Sequence, residues 1–246
     1  LNTAVTGILM WWLVKRVSPT LALLIGFSLQ FFWPFYDSSR YGFNPFLLVP
    51  LAIFLILLLT GSLAGKRHSF LLAAIPVGLA FHSEVAGATV FFFLYFLTGI
   101  FLAIRRKISL KTVFLSLILL SFFFLPHLIS EIYTHISQTR VLLQEAKTSQ
   151  GVFSGTNFRF IAQKFLELLK DSVIPQSSLA SLGFLAVTIL LFFKFRKKNS
   201  FTSFPLLTLT LGFLSWLWFS TNKGWQTWHT VYLPTLLFIS ILLLFF

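Results

Sequence analysis

Long apolar runs separated by short polar stretches dominate this chain. A helix needs about 20 apolar residues to cross the hydrocarbon core of a bilayer. Runs of that length, or approaching it, cover residues 20–35, 44–64, 69–81, 85–104, 112–129, 178–193, 201–220 and 227–246. The pattern predicts an all-α fold, a polytopic transmembrane helix bundle with about eight full spans. We expect residues 1–246 to form a single transmembrane domain.

A further apolar run at residues 4–14 is too short to span a bilayer. It starts almost at Leu1, with no initiator methionine and no signal-type cleavage site. We interpret it as the end of a helix that begins upstream. The expectation is a partial first span and a chain that is a fragment.

The composition agrees with this interpretation. Hydrophobic residues make up 57% of the 246 positions and charged residues only 10%. A single soluble core could not bury that much apolar surface. The apolar runs are therefore expected to face lipid or one another.

Charge alternates from loop to loop. If each run crosses the membrane once, 12 of the 19 Lys and Arg residues fall on one side, in loops around residues 15–16, 66–67, 105–111 and 194–198. All six Asp and Glu residues fall on the other side. Short cytoplasmic loops accumulate Lys and Arg. The basic side is thus predicted to be cytoplasmic, and the protein a multi-pass protein of the cell membrane.

The net charge of +13 does not indicate a nucleic-acid partner, because the excess lies in the predicted cytoplasmic loops. Stacking motifs and zinc knuckles of nucleic-acid binders are absent from the sequence. There is no cysteine, which excludes disulfides and thiolate metal sites. Sequence signatures of phosphate-binding loops, dinucleotide folds, serine hydrolases and zinc proteases are also missing. No cofactor and no metal site is expected.

The only long loop, residues 130–177, lies on the predicted outer side. Within it, residues 157–172 place Phe158, Ile161, Phe165 and Leu168 on one helical stripe. This pattern is typical of an amphipathic helix in the membrane interface. A surface helix packed on the bundle would show the same pattern. In both cases the helix would cover the outer ends of the spans.

Polar and ionisable side chains cluster where several runs reach the outer side. Ionisable groups at membrane depth are costly and invite a functional hypothesis. Interfacial belts of Trp and Tyr and solvated helix ends are the alternative. The candidate substrate-binding residues are Asp37, Arg40, Tyr41, Asn44, His82, Glu84, His127, Glu131, Lys223, His229 and Tyr232.

Three of these candidates have a specific chemistry and a simpler alternative. The Arg40 guanidinium can hold a phosphate bidentately, or it can pair with Asp37 and cap the next helix. His82 and Glu84 can bind hydroxyls or transfer a proton, or they can be turn residues in water. Ser83 beside His82 is not a nucleophile signature, because a catalytic triad requires convergence in space.

Four stretches resemble motifs of bacterial GT-C glycosyltransferases, the polytopic enzymes related to protein O-mannosyltransferases and lipid A aminoarabinose transferases. Arg40 with Asn44-Pro45 resembles the family's R-x-x-x-N-P segment. The run from Gly78 to Ser83 is similar to its G-l-a-x-x-x-H stretch. The other two likenesses are Leu125-Pro126 through Glu131 and Tyr232-Leu233-Pro234. All four occur in the family's order.

The resemblance implies a membrane glycosyltransferase with an extracytoplasmic active site and a polyprenyl-phosphate sugar donor. It implies a lipid, glycan or protein acceptor. The family's catalytic aspartate sits in the first outer loop, and Asp37 lies too far along the pattern to take that role. The general base is therefore expected upstream of this chain, which would supply donor binding and the walls of the sugar pocket.

Two other classes remain open at the level of sequence. A transporter or flippase for a lipid-linked or amphipathic substrate would explain ionisable groups facing water, but it predicts inverted repeats and sites at mid-membrane. The ionisable residues here fall near one face, which favours the enzyme. A non-catalytic membrane scaffold is the third possibility.

Overall fold

A computed structural model describes residues 2–16, 18–32, 35, 47–134, 136, 140, 177–195, 203–220 and 232–245. Its regular elements over these residues are helices, with no strand. In chain order they are α1 (Asn2–Arg16), α2 (Pro19–Phe31), α3 (Leu48–Leu63), α4 (Arg67–Leu72), α5 (Ala74–Ser83), α6 (Val85–Ile104), α7 (Leu110–Tyr133), α8 (Ser178–Phe195), α9 (Ser203–Ser220) and α10 (Tyr232–Phe245).

The all-α prediction is confirmed over the described residues, with one difference in detail. The run predicted as a single helix at 69–81 divides into α4 and α5 at Ala73. Pro76 supplies the physical reason. It has no amide hydrogen to donate to the carbonyl of Leu72, and its ring crowds the preceding turn. Leu72 is accordingly the last residue of α4.

Side chains at the helix starts satisfy backbone amides that have no partner within the helix. The Ser18 hydroxyl accepts from the Leu21 amide at 3.0 Å, and Pro19 follows at the first helical position. The hydroxyl of Ser109 accepts from the Thr112 amide at 3.2 Å at the start of α7. These caps explain why the helices begin where the apolar runs begin.

Helix α3 lies at the centre of the bundle. It packs against α1, α4, α5, α6, α9 and α10. Nearly every residue from Leu48 to Ser62 is buried, on all sides of the helix. A helix that is apolar all round is expected to be surrounded by protein or lipid. Here neighbouring helices surround it.

Helix α7 lies at the edge of the bundle. Its neighbours are α4 and α5. The other face carries exposed apolar side chains at helical spacing, namely Phe114, Ile118, Phe122, Leu125, Ile129 and Ile132. Phe122 is 70% exposed and Ile132 is 74% exposed. At 1.5 Å per residue this apolar stripe of α7 is about 27 Å long.

Among the described residues, one helix is both long and apolar enough to cross a membrane: Val85–Ile104, which matches the predicted run at 85–104. The apolar stretches of the other helices there are 10–17 residues long. The predicted number of about eight full spans goes beyond this and stays a proposal.

Several predictions fall outside the described residues. The outer helix at 157–172 is one of them. The candidates Asp37, Arg40, Tyr41, Asn44, Lys223 and His229 are the others. His127 lies within α7, and its side chain is also outside what the structure describes.

Candidate functional site

The structure describes the side chains of four candidate residues, and each sits at a helix end. His82 lies in the last turn of α5 and Glu84 between α5 and α6. Glu131 lies in the last turn of α7, and Tyr232 begins α10.

His82 links α5 to α7. Its Nε2 lies 2.9 Å from the carbonyl oxygen of Phe123. A carbonyl oxygen only accepts, so Nε2 carries the proton in this contact. The acceptor lies one turn before Pro126, which lacks an amide hydrogen and loosens the helical ladder there. His82 as a whole is exposed. His82 thus fixes the last turn of α5 against the turn of α7 that precedes Pro126.

Glu84 caps helix α6. Its side-chain oxygens accept from the amides of Ala86, at 2.9 Å, and of Gly87. A carboxylate at a helix N-terminus satisfies amides that have no helical partner and opposes the positive end of the helix dipole. The half-buried Glu84 therefore has a structural role, which sequence reasoning did not foresee.

Tyr232 is fully buried, and its hydroxyl lies 2.8 Å from Ser215 Oγ of α9. The Ser215 hydroxyl donates to the Leu211 carbonyl at 2.7 Å. A serine hydroxyl has one proton, so the Tyr232 hydroxyl donates to Ser215. The Phe91 ring of α6 contacts the Tyr232 ring, with centroids 4.9 Å apart. Ser215 was not predicted, although a buried tyrosine requires a partner for its hydroxyl.

The structure brings three of the candidates to the same end of the bundle. The contact between Phe91 and Tyr232 holds the start of α10 against the first two turns of α6, the helix that Glu84 caps. His82 precedes Glu84 by two residues. We call His82, Glu84, Ser215 and Tyr232 the polar end. It joins the start of α6, the start of α10 and, through Phe123, the second half of α7.

Glu131 lies further along α7. It is eight residues beyond Phe123, which corresponds to about 12 Å along the helix. Its side chain is half-buried.

The polar end provides acceptors, hydroxyls and one imidazole. Nowhere in the described part of the chain do three or more His, Cys, Asp or Glu side chains group closely enough to hold a metal ion. Of these groups His82 is exposed and suited to hydrogen-bonding a polar headgroup or a sugar hydroxyl, whereas Tyr232 and Ser215 are buried and bonded to each other. No protein-family model, curated protein or solved structure matches the chain.

Proposed function

We propose that this chain is part of a polytopic membrane glycosyltransferase of the GT-C type. The enzyme would move a sugar from a polyprenyl-phosphate donor to a lipid, glycan or protein acceptor on the extracytoplasmic face. The bond between the sugar and the donor phosphate breaks, and an acceptor oxygen takes the sugar. The polyprenyl phosphate leaves.

The exposed surface of α7 supports a location in the bilayer. The apolar stripe of α7 is about 27 Å long, close to the ~30 Å hydrocarbon thickness of a bilayer. Water-facing surfaces rarely carry a contiguous apolar patch of this extent. Lipid acyl chains of matching length would cover the stripe.

The observation that carries the proposal is where the polar end lies relative to this stripe. His82 bonds Phe123, the neighbour of the exposed Phe122. A polyprenyl-phosphate sugar has a long apolar tail and a charged, hydroxyl-rich head. Phe123 lies midway between Phe114 and Ile132 along α7. The head would therefore reach His82 at the middle of the stripe while the tail lay along the half from Phe114 to Phe122. A water-soluble sugar donor has no apolar tail, so its binding would not require an exposed apolar stripe next to the polar end.

The resemblance to GT-C motifs gives the remaining roles. Arg40 would bind the donor phosphate bidentately, and Asn44 of the same motif would contribute to the donor site. His82, held by Phe123, would stand at the wall of the sugar pocket, and the buried Tyr232–Ser215 pair would support it from behind. The general base would not be among these residues, and Arg40, Asn44 and His82 would bind and orient the substrates.

The test is transfer of a radiolabelled sugar from a polyprenyl-phosphate donor, measured on the natural full-length protein in membrane vesicles. Arg40→Lys replaces a planar fork by a point charge and should raise the donor KM at least several-fold. Arg140→Lys, an exposed arginine of the predicted outer loop, is the matched control and should leave the KM unchanged. Absence of any transfer by the wild type, with the protein folded and inserted, would refute the proposal.

A transporter or flippase is the second candidate, and one observation favours it. The buried hydroxyls of Thr60, Thr208 and Thr235 have no hydrogen-bond partner among the described residues. They lie inside α3, α9 and α10, which contact one another. Unpaired polar groups in a membrane interior mark transport paths in many proteins. Movement of the labelled donor across the vesicle membrane, without transfer of its sugar, would identify this class.

A further inference from the structure

The two basic turns after α3 and α6 form one surface. The Lys107 Nζ donates to the Leu63 carbonyl at 2.9 Å, across 44 positions of sequence. Each turn ends its helix through a left-handed residue, Gly65 with φ 90° and Arg106 with φ 52°. The amide of the following residue bonds back across the last helical turn. The Lys107–Leu63 hydrogen bond therefore joins the two basic turns, which have similar backbone geometry, at one end of the bundle.

This basic end consists of Lys66, Arg105, Arg106, Lys107 and Lys111, all exposed. Residues 64–68 and 104–111 contain no Asp or Glu that could neutralise them. The Arg105 guanidinium lies 5.6 Å from the centre of the Phe101 ring, within range of a cation–π contact. Lys107 is engaged at the Leu63 carbonyl, while Arg105 and Arg106 present planar forks that match a phosphate.

Apolar side chains border these charges directly. Ile104 is 75% exposed and Leu110 is 84% exposed, on either side of the 105–107 turn. A surface that faced water alone would not favour two large aliphatic side chains at this exposure beside three cations. A surface at the boundary between lipid headgroups and acyl chains would favour this combination, because the phosphates contact the cations and the acyl chains contact the aliphatic side chains.

We propose that the basic end binds the phosphate headgroups of anionic phospholipids, with acyl chains against Ile104 and Leu110. The inference rests on the membrane location in the proposed function and goes beyond the transfer reaction. Each Lys or Arg near an anionic surface contributes about 1 kcal/mol, so loss of one arginine should weaken binding about five-fold.

The experiment uses the full-length protein purified in a neutral detergent. Binding of phosphatidylglycerol, phosphatidylcholine and glycerol 3-phosphate is measured by native mass spectrometry. We expect phosphatidylglycerol to bind preferentially and Arg105→Gln to weaken it about five-fold. Arg140→Gln removes one exposed arginine from the predicted opposite side and should leave it unchanged.

Equal binding of the two phospholipids would overturn the inference. Equal losses in Arg105→Gln and Arg140→Gln would do the same. Saturable binding of glycerol 3-phosphate that competes fully with the lipid would show that the site binds a free phosphate compound and not a lipid, and it would overturn the inference. If Arg105→Gln does not fold, Arg106→Gly removes a charge where glycine fits the left-handed backbone.

Carbonate extraction of membranes separates this inference from the proposed function. A protein released by carbonate is not embedded, and the membrane glycosyltransferase itself then fails. A protein that stays embedded but shows no preference for phosphatidylglycerol contradicts only the lipid site.

Discussion

At the scale of single residues, the candidate polar groups are held by partners that define their hydrogen bonding. Tyr232 donates to Ser215, which donates in turn to the Leu211 carbonyl. His82 uses its Nε2 proton on Phe123, and Glu84 uses its carboxylate on α6 amides. Any binding role of these residues therefore begins from side chains already oriented by the fold.

The buried hydroxyl pair gives a stability prediction. Tyr232→Phe removes the donor to Ser215 and leaves the Ser215 bond to Leu211 in place. The free energy of unfolding in mixed micelles should fall by about 1 kcal/mol, the usual contribution of such a bond. The control is Tyr133→Phe, because Tyr133 is 82% exposed and its hydroxyl faces the surroundings. Equal effects of the two changes would contradict the assignment.

At the scale of elements, α5 and α7 are packed closely through a glycine. A Cβ built on Gly78 would come within 2.4 Å of Phe123 Cγ and 2.5 Å of Phe123 Cβ. The Phe123 Cβ cannot rotate away, because it is attached to the helix backbone. The same residue accepts the bond from His82, one turn further along α5. Gly78 therefore sets the separation at which His82 reaches its acceptor.

Substitution of glycines at different positions tests this packing. Gly78→Ala should force α5 and α7 apart and lower the free energy of unfolding by about 1–3 kcal/mol, as overpacked cores do. Gly183→Ala is the matched control in α8, where a Cβ meets nothing within 4 Å. At this position alanine lowers the backbone entropy of the unfolded chain, which should raise the free energy of unfolding by about 0.5–1 kcal/mol. Chemical unfolding in micelles measures both, and a stabilising Gly78→Ala would refute the close contact.

At the scale of the whole molecule, the two ends of the bundle differ in chemistry. Lys107 and Leu63 bring the basic turns together, whereas Glu84 and Tyr232 mark the polar end. The 20 residues of α6 connect Glu84 at its start to Arg105 at its end. The orientation predicted from the distribution of Lys and Arg, with the basic end in the cytoplasm, stays a prediction.

The orientation can be tested by labelling, because the chain has no cysteine of its own. Thr134→Cys, exposed at the end of α7, should react with an impermeant thiol reagent in intact cells. Ala64→Cys, exposed in the basic turn after α3, should react only after the cells are permeabilised. The reverse pattern would place the basic end outside and remove the proposed active face.

The sequence by itself determined the helical fold and most helix positions. Val85–Ile104 was predicted with the observed bounds, because an apolar run that ends at a basic turn is a local signal. The break at Ala73 was missed, although Pro76 lies in the run, since the cost of one proline depends on how the flanking turns are packed.

Only the tertiary structure decided which polar groups meet. Ser215 and Tyr232 are 17 positions apart, His82 and Phe123 are 41 apart, and Lys107 and Leu63 are 44 apart. Helical periodicity relates residues three or four positions apart and carries no information about such pairs. They are set by how helices pack, as at Gly78, where the absence of a side chain lets α5 approach α7.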